Sequence, residues 1–353
     1  MPHDAVKGRG AVSCRDGRFA TRTVEPEEEA DAYLQPPETT LRVMPVKSII
    51  SSNDSPDVPF DLSINPYQGC EHGCVYCYAR PGHSYLDLSP GLDFETRIFY
   101  KPNAAELLVE AWSKSNYECK PITIGANTDP YQPAENKLGI TRMLLETFLE
   151  YRHPVCLITK GVRMSRDLGL LEELARNKLC SVAVSIPTMN DSLKRVLEPR
   201  VPSAASRFRL IEQLADAGVP VSLLMAPIIP AINDAEIEGI LGRAAACGAG
   251  HAAWILLRLP HELKQIFGEW LQTHMPARAN HVMSLLRQAS GGKDYDHRFR
   301  LRQRGRGPYA TMINQRFTAA CKKFGLSAER HRERLDCSQF RRPAGPQMAL
   351  AFD

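Results

Sequence analysis

The sequence predicts an α/β fold with a mainly parallel sheet, and two observations carry that expectation. Short runs rich in Val, Ile and Leu recur at residues 60–64, 121–126, 154–159, 180–186, 219–225 and 252–257, each the length of a strand. Between them lie stretches with helical spacing. Ile140, Met143, Leu144, Phe148 and Tyr151 share one helix face, as do Leu168, Leu171 and Leu174, and again Leu210, Leu214 and Ala217. Six such alternations imply parallel strands joined by crossover helices. An open doubly wound sheet and a curved partial barrel both satisfy the pattern.

In chain order, residues 1–55 read as an irregular, polar extension. Glu25-Pro26-Glu27-Glu28-Glu29 is a solvated acidic run, and Pro36-Pro37 blocks regular structure. Phe60-Asp61-Leu62-Ser63-Ile64 alternates as a strand does and delivers the chain into a cysteine-bearing loop. The alternations fill residues 56–260. Residues 261–353 begin with helix-like segments, become Arg- and Gly-rich, and end in an expected flexible tail from about Arg342.

A chain of 353 residues has room for one large barrel-type domain with appendages. Its charged fraction of 24% is that of folded globular proteins, not of a disordered chain. No apolar run approaches the roughly 20 residues of a membrane span, and the first ten residues lack the apolar core of a signal peptide. Ten cysteines without regular spacing do not form a disulfide framework and suit a reducing compartment, so a cytoplasmic location is expected.

The chemistry concentrates in Asn65-Pro66-Tyr67-Gln68-Gly69-Cys70-Glu71-His72-Gly73-Cys74-Val75-Tyr76-Cys77-Tyr78-Ala79-Arg80. Three thiols spaced C-x3-C-x2-C can converge on one soft metal centre. A structural zinc site or a closed electron-transfer cluster takes four protein ligands. Three thiolates on a four-iron cube leave one iron open to a small molecule. The rival is a non-catalytic binding protein, its cysteines holding zinc completed by His72 or His83, or an iron–sulfur centre that serves nucleic-acid binding.

On this motif the chain resembles the radical S-adenosylmethionine (SAM) enzymes. Its surroundings resemble the branch related to spore photoproduct lyase, as do Asn127-Thr128-Asp129-Pro130-Tyr131-Gln132-Pro133, Thr159-Lys160-Gly161, Leu197-Glu198-Pro199, Pro227-Ile228-Ile229-Pro230 and Arg258-Leu259-Pro260. The resemblance implies the partial (β/α)6 TIM-like barrel, one [4Fe-4S] cluster on Cys70, Cys74 and Cys77, and S-adenosylmethionine as second cofactor. It implies reductive cleavage to a 5′-deoxyadenosyl radical that abstracts hydrogen from a substrate, with an electron donor such as flavodoxin or ferredoxin.

In parallel α/β folds ligands collect at the C-terminal ends of the strands, and that rule places the cysteine loop, Asn127-Thr128-Asp129, Thr159-Lys160, Ser185 and Met225-Ala226 together. By the resemblance Tyr76 lies against adenine, Lys160 meets the methionine carboxylate, and Ser185 sits near the ribose. Asn127 reaches the methionine moiety, and Met225 or Ala226 backs the adenine. Asp129 belongs to the same element, although Asp-Pro is also a common turn opener.

The lyase places its hydrogen-returning cysteine where this chain has Ala126, which puts the lyase chemistry itself in doubt. Cys14, Cys119, Cys156, Cys180, Cys247, Cys321 and Cys337 are scattered, so a second cluster is not expected. Residues 287–342 hold 15 Lys and Arg against 5 Asp and Glu. Within them the stretch from Arg298 to Arg306, followed by Tyr309, has the composition of a nucleic-acid backbone contact. The same stretch also reads as an amphiphilic strand edge with solvated arginines.

Overall fold

In the computed structural model, residues 6–20, 38–328 and 335–344 are described. The strands β1 (Thr40–Val43), β4 (Tyr67–Gln68) and β5 (Arg97–Tyr100) make a small sheet in the order β1-β5-β4. The main sheet contains β2 (Ile50–Ser52), β3 (Leu62–Ile64), β6 (Ile122–Ile124), β7 (Val155–Thr159), β8 (Cys180–Ser185), β9 (Val221–Ile228) and β10 (His251–Leu256). Its order is β10-β9-β8-β7-β6-β3-β2. Every pair from β3 to β10 is parallel, and only β2 joins antiparallel at the edge. The six parallel strands are the six runs expected from sequence.

The helices are α1 (Asp93–Thr96), α2 (Ala104–Ser113), α3 (Glu135–Leu138), α4 (Ile140–Glu150), α5 (Leu168–Arg176) and α6 (Asp191–Leu197). They continue with α7 (Ala204–Asp216), α8 (Ile237–Ala246), α9 (Leu263–His274), α10 (Pro276–Ala289) and α11 (Gly307–Phe324).

Strand period sorts side chains onto two faces. In β7, β8 and β9 the residues Val155, Leu157, Val182, Val184, Leu223 and Met225 join the core between sheet and helices. Their neighbours Ile158, Ala183, Ser185, Ser222, Leu224 and Ala226 face the interior and line a cavity. On α4 Ile140, Leu144 and Phe148 are buried, as the spacing predicts, together with Thr141, Leu145 and Thr147, while Met143 is exposed and Tyr151 is half-buried just past the helix end.

The segments flanking residues 56–260 are in part built into the fold. The extension before residue 55 is not irregular throughout, because β1 and β2 pair with β5 and β3; the acidic run and Pro36-Pro37 lie outside the described residues. Residues beyond 260 pack into the same core as those before it. Ile313, Phe317, Ala320 and Cys321 of α11 belong to the barrel core, and Trp254 on β10 meets Phe317 at 6.2 Å. Arg342 is held by the carbonyls of Lys114 and Tyr117, whereas the expected flexible tail beyond 344 lies outside the described residues.

The Arg-rich stretch forms turns, not a strand edge. The backbone N–H of Leu256 donates to the Gln303 carbonyl at 2.8 Å, so this segment runs beside the last strand. Arg302 pairs with buried Asp57, which also accepts the backbone N–H of Arg300. Asp57 precedes β3, so this contact spans the two ends of the six-stranded parallel array.

Candidate active site

The cysteine loop follows β4, and glycine makes its path passable. At Gly73, with φ +67°, a Cβ would stand 2.6 Å from the Glu95 carboxylate. Neighbouring segments hold the loop's backbone. The N–H of Cys70 donates to Phe94 at 2.9 Å, that of Val75 donates to Leu197 at 3.2 Å, and Arg80 Nε donates to the Cys74 carbonyl at 2.9 Å. Buried Arg80 pairs with buried Glu95, whose carboxylate also accepts the backbone N–H groups of Gly10 and Ala11 at 3.0 and 2.9 Å. The N-terminal segment is thereby fastened against the loop.

Cys70, Cys74 and Cys77 open onto a cavity of about 380 Å³ at the C-terminal ends of the strands. Burial pushes the Cys70 thiol well up, and Asp129, Cys74 and Cys77 push it further. Burial and then Glu198 do the same to Cys74. Such thiols favour the protonated form until a cation arrives; binding iron reverses that preference. Among the described residues, no three His, Cys, Asp or Glu groups converge as ligands of a single metal ion do. His72, the alternative zinc ligand, turns its Nδ1 to within 3.3 Å of Asp129, at an angle short of a hydrogen bond. His83 is buried with Nε2 3.0 Å from the Arg97 carbonyl.

Tyr76, Asn127, Asp129, Lys160, Ser185 and Ala226 all border this cavity with the cysteines. Met225 does not. Its side chain points to the opposite face of β9 and is fully buried in the core, because adjacent strand residues face opposite ways. Lys160 holds its Nζ 5.8 Å from the Tyr76 ring centroid. Burial opposes its charge, but Cys74, Glu198 and Asp129 outweigh burial and raise its pKa. Asn127 is exposed, and its side-chain amide has no hydrogen-bond partner among the described residues. Ser185 donates to the Ala226 carbonyl at 3.4 Å.

Asp129 is committed to structure. It accepts the Thr159 hydroxyl at 2.6 Å and the backbone N–H groups of Lys160 and Tyr131 at 2.7 and 2.9 Å. Burial raises its pKa, yet His72 and these hydrogen bonds prevail and hold it at about 2.

Several residues at the site had no role assigned from sequence. Glu198 and Arg207 form an ion pair of 3.0 Å, both fully buried. Glu198 accepts the Tyr76 hydroxyl, and Arg207 donates to the Ser185 carbonyl at 2.7 Å. Glu198 lies in Leu197-Glu198-Pro199, a signal available in the sequence, whereas nothing marked Arg207. Tyr78 donates its hydroxyl to the carbonyl of Ala126, and the Arg258 guanidinium stacks on its ring at 4.5 Å. The motif Arg258-Leu259-Pro260 thus reaches the cavity.

This arrangement is that of an enzyme class. Residues 64–244 match the Radical SAM superfamily, and the chain belongs to that superfamily of enzymes, which use a [4Fe-4S] cluster and S-adenosylmethionine. An uncharacterized protein of Mycobacterium tuberculosis is 33% identical over 233 residues, 65% of this chain and 68% of the relative. The radical SAM Nalpha-GlyT isomerase of Pseudomonas phage M6 is 27% identical over 188 residues, 53% of this chain and 37% of the relative. Among solved structures, a spore photoproduct lyase mutant superposes with TM-score 0.60 at 15% identity, covering 88% of this chain and 87% of that one. Another, solved with bound AdoMet and dinucleoside spore photoproduct, gives 0.57. These likenesses establish the shared fold. Among the described residues no helix is long and apolar enough to cross a membrane.

Proposed function

We propose that Cys70, Cys74 and Cys77 hold one [4Fe-4S] cluster and that S-adenosylmethionine binds beside it in the same cavity. The observation that carries this reading is the opening of three thiols, with no fourth cysteine among the described residues, onto a cavity shared with Tyr76 and Lys160. When bound, the two groups supply a 5′-deoxyadenosyl radical that removes hydrogen from a substrate.

The chain's own residues position and shield. Glu198 fixes the Tyr76 hydroxyl and so sets the ring that faces adenine. Lys160 offers a compact cation to the methionine carboxylate. The Asn127 amide and Ser185 hydroxyl supply polar contacts, and Ala226 leaves room for the adenine. Asp129 acts through the backbone, by fixing Thr159 and Lys160. Ile158, Ala183 and Leu224 keep water from the interior.

A nucleic-acid substrate is the second reading. It is favoured by exposed Phe299 and Arg300, a base-stacking ring beside a cation, whereas neighbouring Arg298 is paired with Asp296 at 2.6 Å. A flavodoxin- or ferredoxin-type carrier is the expected source of the electron.

The test uses anaerobically purified protein reconstituted with iron and sulfide, then given S-adenosylmethionine and dithionite. The expected result is absorbance at roughly 400 nm and 5′-deoxyadenosine, both abolished in Cys77→Ala. A colourless protein carrying stoichiometric zinc would overturn the proposal.

A further inference from the structure

The charged groups that border the cavity fall into two sets. Asp57 is engaged by Arg302 and by the backbone N–H of Arg300. Asp129 is engaged by Thr159, Lys160, Tyr131 and His72. Lys160 stands in the negative field of the Glu198 and Asp129 carboxylates. Both carboxylates are thus committed, and Lys160 is balanced on the cysteine side.

The wall at the end of β10 is different. Arg258 is half-buried, and its guanidinium lies over the Tyr78 ring at 4.5 Å; among the described residues no carboxylate comes within ion-pair distance of it. Tyr78 directly follows Cys77, so this cation sits next to the proposed cluster loop. Arg304 borders the same cavity, its guanidinium 4.4 Å from the Trp254 ring centroid. Stacking on Tyr78 fixes the plane of the Arg258 guanidinium and leaves its N–H edge available to a planar or tetrahedral oxyanion. An arginine held in that way, without an acid to neutralise it, is the arrangement of an anion receptor.

We propose that the substrate is an organic oxyanion, a carboxylate or phosphate ester, anchored by Arg258 at the β10 wall, with its apolar part toward Leu224 and Ala253. This rests on the radical SAM reading of the cavity, since it takes Lys160 to be the group that meets the methionine carboxylate. It gives the Arg258-Leu259-Pro260 motif a task, and it makes Arg258 a specificity-determining residue.

The test titrates phenyl phosphate, benzoate and neutral benzamide into reconstituted protein containing S-adenosylmethionine, followed by calorimetry. One or both anions are expected to bind at least about tenfold more tightly than benzamide, with an affinity that falls as salt rises. A preference for phenyl phosphate assigns the anion to a phosphate ester such as a nucleotide, and a preference for benzoate assigns it to a carboxylate. Arg258→Gln is expected to lose that advantage and Arg258→Lys to keep part of it, with melting temperature as the check on folding. Benzamide binding as tightly as the anions would overturn the proposal, and this comparison in wild type decides even if the variants do not fold. Two further results would also overturn it: undiminished anion affinity in Arg258→Gln, or an equal loss of S-adenosylmethionine affinity in that variant. The titration does not require cofactor cleavage, so its failure is separable from a failure to form 5′-deoxyadenosine.

Discussion

Replacing Glu198 by Gln removes one charge from a site where the structure makes that charge costly to lose. Glu198 and Arg207 are both fully buried, 3.0 Å apart, and Glu198 also accepts the Tyr76 hydroxyl. Gln preserves the volume and an acceptor for Tyr76, so the change isolates the charge. Leaving one partner of a buried ion pair uncompensated costs about 3–5 kcal/mol. The unfolding entropy of a chain this long is about 0.7 kcal/mol per degree, so melting should fall by roughly 4–7 °C. Adding Arg207→Met removes the stranded cation, and the double variant should therefore melt above the single one. The assay is calorimetric melting of the apoprotein under anaerobic conditions. If Glu198→Gln melts within about a degree of wild type, or if the second substitution simply adds its own loss, the pair does not hold the loop as argued.

Two other predictions concern stability and register. His153 stacks on Trp112 at 4.5 Å, with Nδ1 3.0 Å from the Pro154 carbonyl and Nε2 2.8 Å from the Tyr117 hydroxyl, which fits the neutral ring. Burial lowers its pKa to about 4, although the bond to Pro154 opposes the shift. The folded pKa lies below the unfolded value near 6.5. The contribution is therefore complete above about pH 6.5 and lost as pH falls toward 4, in total about 3 kcal/mol. Melting temperature measured across that window should fall more steeply in wild type than in His153→Gln. On β9, Met225→Ala should cost about 2–5 kcal/mol by opening a core cavity, with S-adenosylmethionine affinity within about twofold of wild type. Ala226→Leu should do the reverse, and binding titrations beside melting curves distinguish the two.

The strands that build the interior were legible because β-branched and aliphatic residues cluster in runs of strand length, as at 154–159 and 180–186. β1 and β2 were not, since Thr-Leu-Arg-Val and Ile-Ser-Ser are too short for a pattern to stand out and are largely exposed. The cysteine loop and Lys160 could be placed by the rule that ligands gather at strand ends. The choice between Met225 and Ala226 could not, because period two says only that they face opposite ways and the fold decides which face is inner. Arg207 carried no local signal at all. Its importance arises from packing α7 behind the cysteine loop, where it meets Glu198.

The Asp57–Arg302 contact changes what kind of ring this is. Elsewhere around the interior the wall is continuous backbone pairing, in which opening one place requires unzipping its neighbours. Between β10 and the β2–β3 edge the gap is bridged by the side chains of Arg302, Asp57 and Ser55 and by the backbone N–H of Arg300. Such a fastening can release without unpairing a single strand. The wall therefore has a seam, and it runs beside Val58, Phe60 and Arg304, along the cavity itself.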